Sequence, residues 1–492
     1  MTLTTLTIGV AIAALILTLV GKFAFDRVEN YFISYLQNFT GALFIFSGWV
    51  KAIDPLGTAY KMEQYFAEFE STFQDTWFSF LAPLFPQLSE YSASFSVFMI
   101  VLEIVLGMML LVGMWRSFTA WTFFLIVAFF TFLTGFTYLT GYVPEGVNFF
   151  QFGKWGEYVS TNMKVTDCGC FGDFLKLEPR ISFFKDLILL IPAITFLFKW
   201  KDMHQLFNGV GRFAIAAVTT LGLLFYCYSN YVWDLPHTDF RPFKNTIDIA
   251  STKAAEEEAA ANVDIIAYKL KNKSTGEVVE FPYDEYLKKY QEYPSSEWES
   301  EQIKTEPAIP STKISEFEVS NSQGEGVTED ILSDPSYTFW LVAYQLKAEE
   351  TKGLAIVYDS VFIQDSILIG DSLNIQQRLQ DVKKRQIETT VYNWDEKYLT
   401  PWKEVVLPML EEAKKDNIQS LAITSYANPE KLSSFKEASG YDAPIYQADD
   451  ILLKTIIRSN PGIILMKNGQ IIQKWHYKKL PSYQEIKSNY IK

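Results

Sequence analysis

The order of apolar and polar residues divides the chain into two unlike halves. Up to about residue 235, long apolar and aromatic runs alternate with short polar stretches, whereas the remainder mixes both kinds at short spacing. A membrane helix needs about 20 mostly apolar residues. Six stretches of the first half reach that length: Leu6–Phe25, Phe32–Ile53, Ser94–Met114, Ser117–Leu139, Ser182–Trp200 and Phe213–Trp233. The pattern therefore predicts a bundle of six transmembrane helices followed by a soluble domain.

Basic residues in the short loops predict the orientation of this bundle. The loops on one side carry Lys22, Arg27, Arg116, Lys199, Lys201 and Arg212. Because loops rich in Lys and Arg stay in the cytoplasm, the N-terminus, the two longer loops and the C-terminal half are expected outside. No basic segment precedes the first stretch and no clear cleavage site follows it, so we interpret it as a retained helix rather than a signal peptide.

The outer loop after the second stretch has a pattern of its own. Over Tyr60–Phe73 the apolar residues recur at helical spacing, and aromatic residues crowd the segment that follows, up to Leu88. An amphipathic helix with aromatic neighbours is typical of a segment at the lipid headgroups. A lid packed on the bundle fits the same pattern equally well.

Four of the ionisable residues within or at the ends of predicted spans are candidates for a role there, because charge in a membrane is costly. Glu103 lies near the middle of the third span and is either a protonated side chain bonded to a neighbouring helix or a proton or ligand site. Lys51 and Asp54 end the second span, where Lys51 can also extend to the headgroups. Asp186 lies in the first turn of the fifth span, which suits a helix N-terminus. A Lys51–Asp186 pair is a further hypothesis.

The most pointed motif is Cys168-Gly169-Cys170, in the outer loop before the fifth span. Thiols one residue apart close only a small, strained ring, and a strained disulfide exchanges readily, while Gly169 gives the backbone freedom that such a ring needs. On the oxidising side of a membrane this motif predicts a catalytic redox pair, Cys168 and Cys170. The neighbouring Asp167 and Asp173 would raise the pKa of both thiols, which opposes strong activation.

Other interpretations of the cysteines stay open, namely a static disulfide, inert thiols or half of a metal site. Zinc normally takes four ligands, and the chain has only His204, His237 and His476 to add, so no metal is expected. Cys227 lies about 9 Å inside the outer end of the sixth span. It is expected to act as a small apolar residue, with exchange with the pair as the alternative.

Composition narrows the classes of function. The net charge is −14, of which the first 235 residues carry −4 and the remainder −10. This acidic balance excludes a basic nucleic-acid binder, and three cysteines are too few for a disulfide-stapled secreted scaffold. The sequence contains no Gly-rich phosphate loop and no Ser-His-Asp arrangement, so nothing in it favours a nucleotide-dependent or serine-hydrolase activity.

Several of these residues carry a family resemblance over about Phe32–Phe243. Phe44–Lys51 followed by Asp54 and Pro55 resembles the opening helix of the DoxX family, and Glu103 in its Glu-x-x-Leu-Gly setting resembles the second core helix. Asp167–Gly172 is similar to DoxX relatives and to the MauE proteins of methylamine dehydrogenase maturation. Asp239–Phe243 resembles a form common in Bacteroidetes.

The resemblance implies a four-helix core to which the first span is an extension, with boundaries at 1–30 and 31–235. It implies a protein of the bacterial inner membrane, with its N-terminus and C-terminal domain in the periplasm. It implies two partners, the lipid bilayer and an envelope protein on the periplasmic side. DoxX relatives are linked with quinone-coupled sulfur oxidation and thiol homeostasis, and MauE with disulfide handling. A quinone is therefore the one cofactor that the resemblance favours.

The second half begins with a connecting region, 236–312. Ala254–Ala261 is a short helical tract, and the alternating segments Val263–Leu270 and Gly276–Phe281 predict a β-hairpin. Pro282–Pro310 is polar and proline-rich, which predicts an irregular connection. A compact domain, 313–492, follows, and its first predicted strand is Ser315–Val319.

From Ile314 onwards, alternating strands and helices that end in a β-hairpin and a helix are typical of an α/β layer fold and resemble the thioredoxin fold. The resemblance implies that Pro461 is the cis-proline beside that family's active site. However, no cysteine follows Cys227, so this domain cannot exchange dithiols itself, and an extra segment, 347–399, stands where the active-site helix should follow its strand. The Pro461 region is then a fold marker or a partner-binding edge.

These observations leave more than one hypothesis. The first is an envelope thiol-redox protein in which Cys168 and Cys170 exchange electrons while Lys51, Glu103 and Asp186 handle charge and protons. The second is a non-catalytic membrane scaffold that recruits a periplasmic partner through the cysteine-free domain. A third is the handling of a lipid or small molecule near Glu103. Whether the chain is an enzyme depends on which of them holds.

Overall fold

The computed structural model describes residues 2–165, 168–369 and 372–491, and these form two compact units, Met1–Lys244 and Asn245–Lys492. The α-helices of the first unit are α1 (Leu3–Phe23), α2 (Tyr31–Ile53), α3 (Pro55–Gln74), α4 (Leu84–Glu90), α5 (Ser92–Val112), α6 (Arg116–Thr140), α7 (Pro179–Lys199) and α8 (Gly209–Tyr228). Short 3₁₀ turns lie in its loops, and a π-turn, Ser229–Trp233, continues α8.

Five helices of the described chain are long and apolar enough to cross a membrane, where the sequence predicted six. They are α1, α5, α6, α7 with its continuation to Asp202, and α8 with its continuation to Trp233. The sixth predicted span coincides with α2, which has the length of a span at 23 residues but is not among the five. The protein therefore has the apolar helices of a membrane protein, with one more polar helix in their midst.

The polar residues of α2 explain this difference, because they are turned into the bundle. Ser34, Gln37, Asn38, Thr40, Ser47 and Lys51 are all buried. The Gln37 side chain donates to the carbonyl oxygen of Leu110 at 2.6 Å and accepts from the backbone N–H of His204 at 3.0 Å. Asn38 donates to the Thr18 hydroxyl at 3.0 Å. Since buried polar groups need partners, α2 is fixed by hydrogen bonds to α1, α5 and the loop before α8.

The helix predicted for the outer loop forms as α3 and packs on the bundle. The Thr137 hydroxyl of α6 donates to the Tyr65 hydroxyl at 3.1 Å, and the Ser92 hydroxyl of α5 donates to Glu63 at 2.8 Å. Asp54 caps the helix by accepting from the Gly57 N–H at 3.2 Å. Of the two interpretations of this loop, the geometry favours a lid over the bundle.

The second unit contains both helices and sheets. Its helices are α9 (Ile249–Ala261), α10 (Tyr283–Lys289), α11 (Thr328–Leu332), α12 (Glu396–Pro401), α13 (Leu407–Lys415), α14 (Pro429–Ser439), α15 (Asp450–Ile456) and α16 (Tyr483–Tyr490). Its strands are β1 (Ile265–Asn272), β2 (Val278–Pro282), β3 (Trp298–Lys304), β4 (Tyr337–Ala343), β5 (Ala348–Ile369), β6 (Ser372–Trp394), β7 (Gln419–Ser425), β8 (Ile445–Ala448), β9 (Gly462–Lys467) and β10 (Gln470–His476).

A five-stranded mixed sheet forms the core of this unit, in the order β10-β9-β4-β7-β8. Strands β4, β7 and β8 run parallel, whereas β9 lies antiparallel to β4 and forms a hairpin with β10. Its central strand β4 is almost wholly buried, and Trp402 and Phe435 pack at 5.0 Å in the same apolar cluster. The Asn460–Pro461 peptide bond that precedes β9 is cis.

The extra segment 347–399 consists largely of one long hairpin. Strands β5 and β6 pair antiparallel from Ala348 and Trp394 to Ile369 and Ser372, and they form a two-stranded sheet of their own. Large apolar side chains on this hairpin are exposed, among them Leu354 at 68% and Tyr358 at 63%. The sequence marks this segment as an insertion, but it did not predict the hairpin.

Two details of the predicted second half are wrong. Pro282–Pro310 is not an irregular connection, because it contains α10 and β3, and β3 pairs with β1. Residues 315–319 form turns and an extended stretch rather than a strand. The sequence also predicts an amphipathic helix over about Thr400–Asp416. The structure is helical there, but a π-turn, Trp402–Val406, interrupts it, because neither Pro401 nor Pro408 offers an N–H to a regular helical ladder.

Candidate functional site

The first unit encloses a cavity that brings together most of the residues singled out in the sequence. Its lining includes the predicted pair Cys168 and Cys170 and the predicted charged residues Lys51, Glu103 and Asp186. These residues come from α2, α5, α7 and the loop before α7, and up to 135 positions separate them along the chain. Their convergence makes this cavity the candidate functional site.

One wall of the cavity holds a buried ion pair between Lys51 of α2 and Glu103 of α5. The Lys51 ammonium donates to Glu103 Oε2, and the two side chains are only 7% and 6% exposed. The Lys51 Nζ atom also lies 5.6 Å from the centre of the Phe130 ring. The sequence left two interpretations of Glu103 open, and the structure contains the bond to a neighbouring helix. The partner in that bond is Lys51, which lines the cavity. Lys51 does not extend to the headgroups.

A second ion pair lies on α7, between Lys185 and Asp186. Lys185 Nζ lies 2.6 Å from Asp186 Oδ1, and the Thr134 hydroxyl of α6 donates to Asp186 Oδ2 at 3.0 Å. The hypothesis of a Lys51–Asp186 pair is therefore replaced by two separate pairs, Lys51–Glu103 and Lys185–Asp186. Both cations keep a carboxylate partner, as buried charges require.

The two thiols lie side by side at the edge of the same cavity. The structure describes Cys168 and Cys170 as free cysteines whose sulfur atoms are 2.9 Å apart. Ser182, in the first turn of α7, places its hydroxyl 2.7 Å from Cys168 Sγ. The Ser47 hydroxyl of α2 donates to the carbonyl oxygen of Cys170 at 2.8 Å. Two serines from two helices thus fix this turn against the bundle.

Gly169 is required between the two cysteines for conformational and steric reasons. Its φ is +63°, in the left-handed region that favours glycine. A Cβ atom at this position would lie 3.1 Å from Lys61 Cγ of α3. The Lys61 side chain therefore packs against the turn that carries the two thiols, and a larger residue at Gly169 would displace that side chain.

The two thiols differ in acidity. The hydrogen bond with Cys170 lowers the pKa of Cys168 to about 7, although burial acts in the opposite direction. The charge of Lys185 and the hydrogen bond with Ser182 lower it further. The hydrogen bond with Cys168 and burial raise the pKa of Cys170 well above its usual value. The flanking acids were predicted to raise the pKa of both thiols, but at Cys168 the lowering effects are larger. Of these acids, Asp167 lies outside the described residues, and Asp173 Oδ1 lies 3.6 Å from Lys176 Nζ.

This acidity predicts a pH profile for Cys168. Because only the thiolate is nucleophilic, alkylation of Cys168 by iodoacetamide should rise with pH and reach half its maximum at a pH of about 7. Replacement Ser182→Ala should move this midpoint up by about one pH unit, since a hydrogen bond to a charged group contributes roughly 1.5 kcal/mol. Mass spectrometry of the peptide that carries Cys168 measures the rate at each pH.

The matched control for this experiment is Ser96→Ala. Ser96 is also a fully buried serine, but its hydroxyl donates to the Pro55 carbonyl oxygen and it does not line the cavity. A midpoint near pH 9 in the wild-type protein, or an equal shift in both serine variants, would contradict the assignment of Ser182 to the thiolate.

The remaining lining of the cavity is mostly apolar. Phe44, Val127, Phe130, Leu133 and Leu189 contribute to it, and the flexible side chains of Met62 and Met99 lie beside them. The cavity has a volume of about 80 Å³, which is room for several water molecules. Within the described ranges, no three His, Cys, Asp or Glu side chains cluster as metal ligands would.

Two of the residues considered in the sequence do not line this cavity. Cys227 is fully buried in a different apolar cluster, with Ile100 and Leu223, as expected of a small apolar residue. Pro461 lies in the second unit, where the Asn460 side chain before it donates to the carbonyl oxygen of Gln345 at 2.8 Å.

Sequence reasoning missed three residues of the site: Lys185, Ser182 and Ser47. A signal for Lys185 was present, because a lysine next to Asp186 inside a predicted span needs a partner as much as the acid does. The serines gave none, since small polar residues are common in membrane helices. Comparison with known proteins finds no family model, no curated protein and no solved structure that matches the chain.

Proposed function

We propose that this protein is a membrane-embedded thiol oxidoreductase of the DoxX type, in which Cys168 and Cys170 pass electrons to a quinone. The observation that carries the proposal is the meeting of the dithiol and two buried ion pairs around one cavity whose remaining walls are mostly apolar. A static disulfide or an inert pair of thiols would not need buried charges beside it, whereas a dithiol that releases protons on oxidation does.

The proposed reaction balances when one proton from solution is counted. A thiolate at Cys168 and a thiol at Cys170 form one S–S bond and release two electrons and one proton. A bound quinone would accept the two electrons together with two protons, so one further proton would have to enter from solution. Glu103 and Asp186 can carry protons between the dithiol and the ring, and Lys51 and Lys185 can hydrogen-bond to its oxygens. Met62 and Met99 can move aside for the ring, because methionine side chains are adaptable.

The same proposal includes a location and a fold for each unit. We place the dithiol on the periplasmic side of the bacterial inner membrane, with α2 as a sixth, central span held by its inward polar face. Thioredoxin-like order in the second unit is supported by the arrangement of β4, β7, β9 and β10 and by the cis-proline at position 461. Without cysteines that unit would serve to bind a client protein rather than to oxidise it.

Purified protein in lipid nanodiscs tests this function. We expect the reduced protein to convert a short-chain benzoquinone to the quinol, with loss of two free thiols per quinol formed. The double variant Cys168→Ser, Cys170→Ser should reduce the quinone no faster than buffer does. Cys227→Ala should behave as the wild type, because Cys227 lies outside the cavity. Ultraviolet absorbance follows the quinol, and a thiol titration follows the protein.

Two results would overturn the proposal. One is a reduced wild-type protein that leaves the quinone oxidised, and the other is a double variant that reduces it as fast as the wild type. Trapping of free thiols in intact cells adds a second line of evidence. The oxidation state of Cys168 and Cys170 should change when respiration is blocked, whereas a structural disulfide would stay oxidised throughout.

A second function, that of a non-catalytic scaffold, is favoured by the second unit. The hairpin of β5 and β6 exposes large apolar side chains, and a polar cavity of about 640 Å³ lies at its base, lined by Gln345, Asp395 and Lys431 among others. Both features suit the binding of a partner protein. A partner that co-purifies in fixed ratio with the double cysteine variant would support this function over the redox one.

A further inference from the structure

The two sulfur atoms of the dithiol have different surroundings. Cys168 is 9% exposed, belongs to the same buried cluster as Phe44 and Leu189, and has the Ser182 hydroxyl 2.7 Å from its sulfur. Cys170 is a partly exposed residue, and its backbone carbonyl oxygen accepts a hydrogen bond from the Ser47 hydroxyl. Cys170 is therefore the more exposed residue of the two, whereas Cys168 belongs to the buried cluster of the bundle.

We infer that the two cysteines have separate partners: Cys170 is attacked by the thiolate of a dithiol-containing protein outside the membrane, and Cys168 reacts with the quinone in the cavity. This inference rests on the proposed function and adds to it the class of the electron donor, a protein dithiol, and the direction of electron flow from that protein inwards. It also assigns Ser182 as a catalytic residue, since its hydroxyl touches the sulfur of Cys168.

The first half of the cycle follows from thiol–disulfide exchange. A partner thiolate attacks Cys170 Sγ of the oxidised pair, a partner–Cys170 bond forms, and the Cys168–Cys170 bond breaks with its electron pair on Cys168. Exchange is faster when the leaving thiol has a low pKa, and the pKa of Cys168 is lowered to about 7. The Ser182 hydroxyl can donate to the departing thiolate. Attack at Cys168 would instead expel Cys170, whose pKa is raised.

The second half returns the pair to its starting state. A second thiolate of the partner attacks the mixed disulfide, which gives a disulfide in the partner and a Cys170 thiolate that takes up a proton. The Cys168 thiolate and the Cys170 thiol then reduce the quinone as described above. Overall, two electrons leave the partner dithiol and arrive on the quinone, and the site itself is unchanged.

The position of a trapped peptide tests this inference. Full-length Cys227→Ala protein, oxidised and in nanodiscs, is mixed with a peptide that contains a single cysteine, and exchange is stopped with acid. Fragmentation mass spectrometry then locates the peptide. We expect it on Cys170, in at least about tenfold excess over Cys168, because both access and the leaving group favour that sulfur.

Two single-cysteine variants provide a second test of the separate roles. In the same background, Cys170→Ser keeps only the enclosed thiol, and addition of a short-chain benzoquinone should produce a long-wavelength charge-transfer absorbance with the Cys168 thiolate. Cys168→Ser should produce none, while its Cys170 should still form a mixed disulfide with the peptide after activation with an aromatic disulfide.

The outcomes separate this inference from the proposed function. If the reduced wild-type protein fails to reduce the quinone, the proposed function is wrong. If it reduces the quinone but the peptide is found on Cys168, or on both cysteines equally, the redox function holds and the separate roles of the two cysteines are wrong. The mapping in the oxidised protein does not depend on whether either serine variant folds.

Discussion

Replacing Glu103 by leucine should lower the free energy of unfolding by about 3–5 kcal/mol, the cost of leaving one buried charge without its partner. The partner is Lys51, whose side chain is 7% exposed and therefore has little access to water when the carboxylate is gone. Titration of the purified protein with sodium dodecyl sulfate in mixed micelles, followed by tryptophan fluorescence, measures the change.

The double variant Lys51→Met, Glu103→Leu is the matched control for this prediction. Two apolar side chains of similar volume often replace a buried ion pair at little cost, so most of the lost stability should return. If the double variant is as unstable as Glu103→Leu alone, the loss arises from packing and not from the unpaired charge. A stable double variant also allows quinone reduction to be measured without the pair, which tests its part in proton transfer.

A single methyl group at Gly107 should cost about 1–3 kcal/mol, the usual range for overpacking. A Cβ atom there would lie 2.8 Å from the carbonyl oxygen of Gly41 and 2.8 Å from Ile45 Cγ1, so α2 and α5 would have to move apart. Small residues allow such close approach of helices in membranes. Because the same two helices carry Lys51 and Glu103, Gly107→Ala should slow quinone reduction as well.

Gly222→Ala provides the comparison for that variant. Gly222 lies in α8, which is also apolar enough to span a membrane, but a Cβ atom at this position would meet nothing within 4 Å. Its stability should therefore stay the same or rise slightly, since alanine favours a helix over glycine. Equal losses in both variants would mean that the contact between α2 and α5 is not close-packed. Both are measured by the same detergent titration.

The apolar helices and the order of strands and helices could be predicted because they depend on local periodicity. The run Ser94–Met114 predicts α5 within a few residues, and the mostly apolar run Tyr337–Tyr344 predicts a buried strand where β4 lies. The polar face of α2 was less visible, because Gln37 and Asn38 acquire partners only when α1, α5 and the loop at His204 assemble around them.

The individual site residues could be found in the sequence, but their arrangement could not. A thiol pair and a charge inside a span are each unusual enough to attract attention, which is why Cys168, Cys170, Lys51, Glu103 and Asp186 were singled out. Which cation pairs with which acid depends on distances between helices, and no periodicity encodes those. The same holds for the hairpin of β5 and β6, whose length depends on pairing between residues up to 46 positions apart.

The ionisable groups around the cavity also define an electrical balance. Three lysines, Lys51, Lys61 and Lys185, and two carboxylates, Glu103 and Asp186, line it within the described residues. With both thiols protonated the lining carries one excess positive charge, and a thiolate at Cys168 makes it neutral. Formation of the disulfide removes the thiolate and restores the excess positive charge. The reduced site with a Cys168 thiolate is therefore neutral, whereas the oxidised site attracts an anion. In the exchange proposed above, the incoming partner thiolate would supply that negative charge at the moment when the site lacks it.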